Sequence, residues 1–217
     1  MPKRYKTYRR SKRRYFRKKR VVRRRNTRRF RKLSDSTVYR FCRNLSTNVV
    51  GPATTGTVST AFTLQLSQIP TRSDFTSLFE EYKITKIVLE FMPRQGFQYA
   101  GNVDHGIFHI WNDYDDSTPG DQDVYNQKQD VKHYNISCNS RSKFTHTLFP
   151  RVQTPVYRTG VNFGYIPRKS PWINTENDDV THYGVKWHWN NVVKPSNDVI
   201  PVIHVIIKVY MKFRRPK

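Results

Sequence analysis

No acidic residue occurs before Asp35, yet residues 1–32 hold 19 lysines and arginines. Charge at that density, with Val21, Val22 and Leu33 as its aliphatic residues, cannot bury enough apolar surface to offset the entropy of ordering. Residues 1–33 are therefore expected to form a disordered Arg/Lys-rich arm, and residues 34–217 one folded domain. Beyond residue 32 the remaining 21 basic residues face all 16 acidic ones, so the domain carries only about +5 of the total +24. About 180 residues rich in Val, Ile, Thr and aromatics suffice for one compact core.

A polycation this dense repels itself unless a polyanion neutralises it. Arginine outnumbers lysine 13 to 6 in residues 1–32, and the guanidinium fork matches phosphate geometry better than an ammonium does. Nucleic acid is the expected partner, held by Arg9, Arg10, Arg13, Arg14, Arg17, Lys18, Lys19, Arg20, Arg23, Arg24, Arg25, Arg28 and Arg29. Tyr5, Tyr8, Tyr15, Phe16 and Phe30 are interleaved with them; as base-stacking rings they point to single strands, as spacers in a solvated tail to nothing. Arg13, Arg14, Arg17, Lys18, Lys19, Arg20 and Arg23, Arg24, Arg25 also have the composition of a nuclear import signal, which uses the same residues.

A mitochondrial transit peptide would need an amphipathic apolar face, and a secretory signal an apolar core; neither is expected here. The most apolar stretch, VIPVIHVIIKVYMKF (199–213), is broken by Pro201, His204 and Lys208 and is too short to span a bilayer as a helix. The two cysteines, Cys42 and Cys138, are expected to be small buried or half-buried side chains, and the sequons at Asn44 and Asn135 chance matches.

From Ser34 onward the dominant hydrophobic period is two. Tyr39, Phe41 and Leu45 oppose Arg40 and Cys42; Val58, Phe62, Leu64 and Leu66 share a face. In KITKIVLEF (83–91) both faces are partly apolar, which suits a strand covered on both sides. With GIFHIWNDY (106–114), VKHYNISC (131–138), SKFTHTLF (142–149), HYGVKWHW (182–189) and VIHVIIKVYMKF (202–213), eight strands are predicted. One short helix is expected in TRSDFTSLFEEY (71–82), capped by Ser73 or Asp74, with Phe75, Leu78, Phe79 and Tyr82 at helical spacing. The fold class is all-β, and eight is the strand count of a jelly roll, though an immunoglobulin-like sandwich or an OB-type barrel fits the composition equally.

Three stretches carry a resemblance to a known family. The Arg-rich amino terminus is followed by FTLQLSQIP (62–70) and then DFTSLFEEYKITKIVLEFMP (74–93), in which a short helical turn ends near Tyr82-Lys83 and the next strand ends in Phe91 to Pro93. This order resembles the capsid proteins of circovirus-like and cyclovirus-like circular single-stranded DNA viruses. The resemblance is strongest over residues 60–93 and extends in layout to the carboxyl-terminal strand; the loops of 94–180 do not align residue by residue. It implies an eight-stranded viral jelly roll that self-assembles, sixty copies in a T=1 icosahedral shell, around a circular single-stranded DNA genome. It also implies nuclear import through host import receptors, residence in the virion and the host nucleus, and attachment to sulfated glycans, with no membrane insertion. Sixty arms would carry roughly 1,140 cations, matching on the order of 1,000 phosphates, with some 300 more from the domains, so a genome of one to two kilobases is expected.

In a jelly roll the first and last strands are neighbours, so Arg40, Arg43 and Lys212, with Lys208, Arg214 and Arg215, are expected to extend the nucleic-acid surface. The alternative for this set is a solvated strand face or subunit-interface ion pairs. Trp187 and Trp189 alternate with His188 and would stack on bases if exposed, although tryptophans at that period are more often core. Trp172, in a loop after Pro171, is expected to anchor a subunit interface. The acidic group Asp104, Asp113, Asp115, Asp116, Asp121 and Asp123 near His105 and His109 invites a metal site. On a strand, however, residues i and i+4 lie about 13 Å apart, too far to share one ion, so an exposed acidic loop meeting a neighbouring subunit's basic surface is expected instead. No Walker loop, G-x-S-x-G, H-E-x-x-H or cysteine ligand cluster occurs, so neither a cofactor, a metal nor an enzymatic activity is expected. A cellular RNA- or chromatin-binding protein with a β-barrel is the alternative; it would spread its basic residues over the folded domain as well.

Overall fold

The computed structural model describes residues 37–51, 56–93, 106–136, 143–157, 163–192 and 201–217. The arm residues from Arg9 to Arg29, together with His105 and Cys138, lie outside the described residues. All the described strands belong to the unit running from Leu33 to Lys217.

The described residues form eleven strands: β1 (Tyr39–Val50), β2 (Gly56–Leu64), β3 (Phe79–Pro93), β4 (Ile107–Asn112), β5 (Lys132–Asn135), β6 (Phe144–Leu148), β7 (Arg151–Tyr157), β8 (Phe163–Lys169), β9 (Ile173–Asn174), β10 (His182–Val192) and β11 (Val202–Pro216). Two short helices, α1 (Arg72–Leu78) and α2 (Gln122–Asn126), lie between them. One sheet has the order β1-β11-β3-β6 with β9 added beside β3; the other has the order β5-β4-β10-β7-β8 with β2 on β10. Without β7, β8 and β9, what remains is two four-stranded antiparallel sheets, β1-β11-β3-β6 and β5-β4-β10-β2, which is the jelly roll. The eight predicted strands are these eight. β1 and β11 are paired along their length, from Tyr39 opposite Phe213 to Val50 opposite Val202.

The three strands absent from the sequence reading fall in the connection from β6 to β10. β7 and β8 contain Pro155 and Pro167 and pair chiefly with each other, touching β10 at the single pair Tyr183 and Arg151. Proline cannot donate to a ladder and is confined to such edge ribbons, which also lack a buried face to impose strict alternation.

The helix prediction needs correction at both ends. α1 stops at Leu78, which is exposed, and Phe79 and Tyr82 already belong to β3. Its N-cap is Thr71, in the left-handed region at φ 60°, while Ser73 and Asp74 sit inside the first turn. Phe75 is the one buried residue of the helix, and it stacks on Phe213 at 4.8 Å and meets Phe41 at 5.0 Å.

The inward faces of the sheets meet around Phe91, Phe108, Phe144, Trp187 and Trp189, all within one hydrophobic core. Trp187 is 3% exposed and Trp189 fully buried, so these rings are core, as their period suggested, and unavailable to bases. Burial of a large apolar side chain is worth about 1.5–3 kcal/mol, and aromatic pairs such as Phe91 with Phe144, stacked at 4.9 Å, add to it. Cys42, expected to be at least half-buried, is exposed, because it lies on the outward face of β1.

Candidate nucleic-acid interface

The outward face of the β1-β11-β3-β6 sheet is built from alternate residues of three paired strands. Strand register places Arg40 opposite Lys212, and Lys212 opposite Lys83. One row further on, Cys42 faces Tyr210, and Tyr210 faces Lys86, whose ammonium lies 4.1 Å from the Tyr210 ring centroid. The next row joins Asn44 to Lys208 and Val88. Like charges directly opposite one another destabilise a sheet by up to about 1 kcal/mol. Three cations in one row, none with a carboxylate partner among the described residues, therefore form a surface that an anion would stabilise.

Lys83 and Lys86 escaped the sequence reading for a local reason. The register jumps from Tyr210 opposite Lys86 to Met211 opposite Ile84, a bulge that leaves Thr85 over and reverses the phase of β3. Ile84 and Ile87 thus both face the core, while Lys83, Lys86, Val88 and Glu90 face outward. The Thr85 hydroxyl donates to the Tyr210 carbonyl at 3.0 Å and ties the bulge to β11. β3 is covered on one side, where the apparent mixture of polarity suggested two.

The other predicted basic residues separate into distinct environments. Arg43 occupies the opposite face of β1 from Arg40, with its guanidinium 4.9 Å from the Phe75 ring centroid, so it does not join the row. Lys208 and Lys143 both bond Glu90, at 2.6 and 3.1 Å. These hydrogen bonds, led by that of Lys208, hold the Glu90 carboxyl below its ordinary pKa, and the same contact with Glu90 holds the Lys208 ammonium above its own. Arg214 and Arg215 both bond Glu81, Arg215 at 2.8 Å. Lys208, Arg214 and Arg215 are thus ion-paired within the chain itself rather than with a neighbouring subunit. Trp172 is half-buried beneath Arg214, whose guanidinium lies 4.4 Å from its ring centroid.

The acidic loop is exposed, as expected, at Asp115, Asp116, Asp121 and Asp123, and differs from expectation at Asp113. The Asp113 carboxylate is 5% exposed and lies 3.4 Å from the Lys186 ammonium, which is itself 6% exposed and bonds Asp116 at 2.6 Å. Lys128 completes the group at 3.6 Å from Asp113. These aspartates face cations of their own chain because residues 113–131 fold back over the second sheet. Among the described residues no group of three or more His, Cys, Asp or Glu is arranged to hold a metal ion, and no helix is long and apolar enough to cross a membrane.

A model of the circovirus capsid protein family matches residues 3–217. The chain belongs to that family. It is a capsid protein, a structural component of a virion. Among solved structures the capsid protein resembles the BFDV capsid protein crystallised as a 60-mer, with a TM-score of 0.65 and 17% identity over 84% of this chain and 96% of that one. It resembles the BFDV capsid protein crystallised as a decamer with a TM-score of 0.51 and 18% identity over 82% and 99% of the two chains. At that identity the likeness speaks for the fold, a viral jelly roll. No curated protein sequence matches it.

Proposed function

We propose that the capsid protein assembles with itself, sixty copies to a T=1 icosahedral shell, and packages circular single-stranded DNA. The observation that carries the packaging half is the unpaired row Arg40, Lys212 and Lys83 on the strand that follows the arm in sequence and on its two successive neighbours. Residues 1–33 act as a flexible polycation: Arg9, Arg10, Arg13, Arg14, Arg17, Lys18, Lys19, Arg20, Arg23, Arg24, Arg25, Arg28 and Arg29 condense the genome. The subset from Arg13 to Arg25 first carries the protein through host import receptors to the nucleus. The sheet face contributes Arg40 and Lys212, joined by Lys83 and Lys86; Arg43 contributes through its packing on Phe75 rather than through phosphate contact. Trp172 anchors a subunit contact through the part of its ring that Arg214 leaves free. Attachment to sulfated glycans falls to the opposite side of the shell.

Electron microscopy of the purified full-length protein, followed by nuclease treatment and extraction of protected nucleic acid, tests this reading. Uniform spheres about 20 nm across, the size expected of sixty compact domains, with protected DNA inside, support it. Monomers, or amorphous complexes that dissolve with salt, overturn it in favour of a cellular nucleic-acid-binding protein.

A further inference from the structure

Where the bare sheet face meets the inserted ribbon there is a cleft of about 400 Å³, within the size range of small-ligand sites. Its walls come from β3, from the segment after β4, from the turn between β6 and β7, and from the end of β8. Lys83, Arg151 and Lys169 line it, and no carboxylate does. Arg151 is held with its guanidinium 4.3 Å from the Tyr114 ring centroid, so its position is fixed by stacking rather than by an acidic partner. Phe149 lines the same cleft and is 62% exposed, a large ring left in solvent. Ser170, also in the lining, is 3% exposed, and its hydroxyl has no hydrogen-bond partner among the described residues. Buried hydroxyls are normally paired, so an orphaned one in a cationic cleft is a donor awaiting an acceptor.

The ligand must therefore combine an anion with a flat apolar surface. Lys83 belongs both to the cleft and to the row with Lys212 and Arg40, so a strand laid along the sheet face leads into it. We propose that the cleft takes one flipped-out nucleotide of the packaged single strand, its phosphate held by Lys83, Arg151, Lys169 and the Ser170 hydroxyl, and its base against Phe149 and Tyr114. Rings stacked on unpaired bases hold any sequence, which suits a site repeated in every subunit along one genome. The inference rests on the packaging reading above and adds to it a fixed seat for one nucleotide per subunit.

Ultraviolet crosslinking of the full-length protein to oligo(dT), with the adducts mapped by mass spectrometry of its peptides, tests the seat. The expected result is an adduct on Phe149 or Tyr114 besides those on the arm. It should fall at least fivefold in Lys169→Gln and return in Lys169→Arg, with the arm adducts unchanged. Adducts confined to the arm and to β1 and β11 overturn the seat while leaving packaging intact, as does an undiminished Phe149 or Tyr114 adduct in Lys169→Gln. Displacement of that adduct by a heparin tetrasaccharide but not by a dT tetranucleotide at the same concentration overturns it too, and gives the cleft to a sulfated glycan. No adduct anywhere on the chain sinks the packaging reading and the seat together.

Discussion

The two sheets of the capsid protein present opposite outer faces. Among the described residues, that of β1-β11-β3-β6 is uncovered and carries Arg40, Lys212, Lys83 and Lys86 without carboxylate partners. That of β5-β4-β10-β2 is roofed by residues 113–131, and its one buried cation, Lys186, is matched to Asp113 and Asp116. A single row crosses all four strands, buried at His188 and His109 and exposed at His133: Ser59 opposite His188, His188 opposite His109, and His109 opposite His133. The Ser59 hydroxyl and His188 Nδ1 lie 2.7 Å apart, the Nδ1 atoms of His109 and His133 2.6 Å apart, and Tyr125 of α2 stacks on His109 at 4.2 Å. Both sheets use cross-strand rows of nitrogenous side chains, but one row is permanently charged, while in the other His109 and His188 are buried and burial disfavours their charged forms.

The sharpest way to break this contrast is to remove the matched cation. Lys186→Met leaves the buried Asp113 carboxylate with the longer ion pair to Lys128 and the hydrogen bond it accepts from the Asp115 N–H. Breaking a buried pair from one side costs about 3–5 kcal/mol. Denaturant unfolding followed by tryptophan fluorescence should report a loss of that order, and Lys186→Met combined with Asp113→Asn should recover most of it. A loss below 1 kcal/mol would mean that the roof does not exclude water.

Acid should act on the same half of the molecule. Burial holds His146 and His182, both between the sheets, at a pKa of about 4, and it also lowers His109 and His188 under the roof. An imidazole whose pKa is depressed in the fold stays neutral there, so below the ordinary value of 6.5 the unfolded chain takes up protons that the folded chain refuses. Stability is therefore full above about pH 6.5 and falls as pH drops toward 4, by up to ~3 kcal/mol for a fully buried ring such as His182. Glu90 and Asp116, lowered by their lysine partners, add to the loss only at more acid pH. Unfolding free energies measured in steps from pH 7 to pH 4 should decline throughout; a flat profile would mean that these rings reach solvent in the folded state.

Packing under the roof gives a smaller effect. A Cβ on Gly120 would stand 2.5 Å from the Trp111 indole, which is fully buried against the outside of the second sheet. Gly120→Ala is expected to cost about 1–3 kcal/mol, the range of overpacked sites, and to shift the tryptophan emission as Trp111 is displaced. Gly56, with open space at its Cβ position, is the control and should tolerate alanine.

What the sequence disclosed follows the same division. Strands with one buried and one solvated face, such as β1 and β11, are legible because period two is imposed on every residue, and Arg40 and Lys212 were found with them. Lys83 and Lys86 were hidden by the bulge at Thr85, which no local composition announces. The burial of Lys186, His109 and His188 was not legible because the roof that buries them is polar in composition, with Asp115, Asp116, Asp121 and Asp123 in it. β7 and β8 were lost because an edge ribbon with prolines lacks a buried face to phase it. Periodicity reports burial by the adjacent layer of a sandwich and says nothing of a loop that returns to cover the far side.

On the bare face, substitution should leave stability almost untouched and change binding instead. Arg40→Gln, Lys83→Gln and Lys212→Gln each remove one member of a like-charged row, so unfolding free energy should stay within about 0.5 kcal/mol of the parent or rise slightly. Each neutralised phosphate contact contributes about 0.7 to the slope of log affinity against log salt on a single strand. A salt titration of oligo(dT) binding should thus lose about that much slope per substitution, or about two units for the triple variant. Arg43→Gln, on the other face of the same strand and stacked on Phe75, should leave the slope unchanged while costing some stability through lost packing. The pair Arg40 and Arg43, three residues apart, therefore isolates the face from the strand. Equal slopes for both variants would mean that strand register does not decide which cations meet the genome.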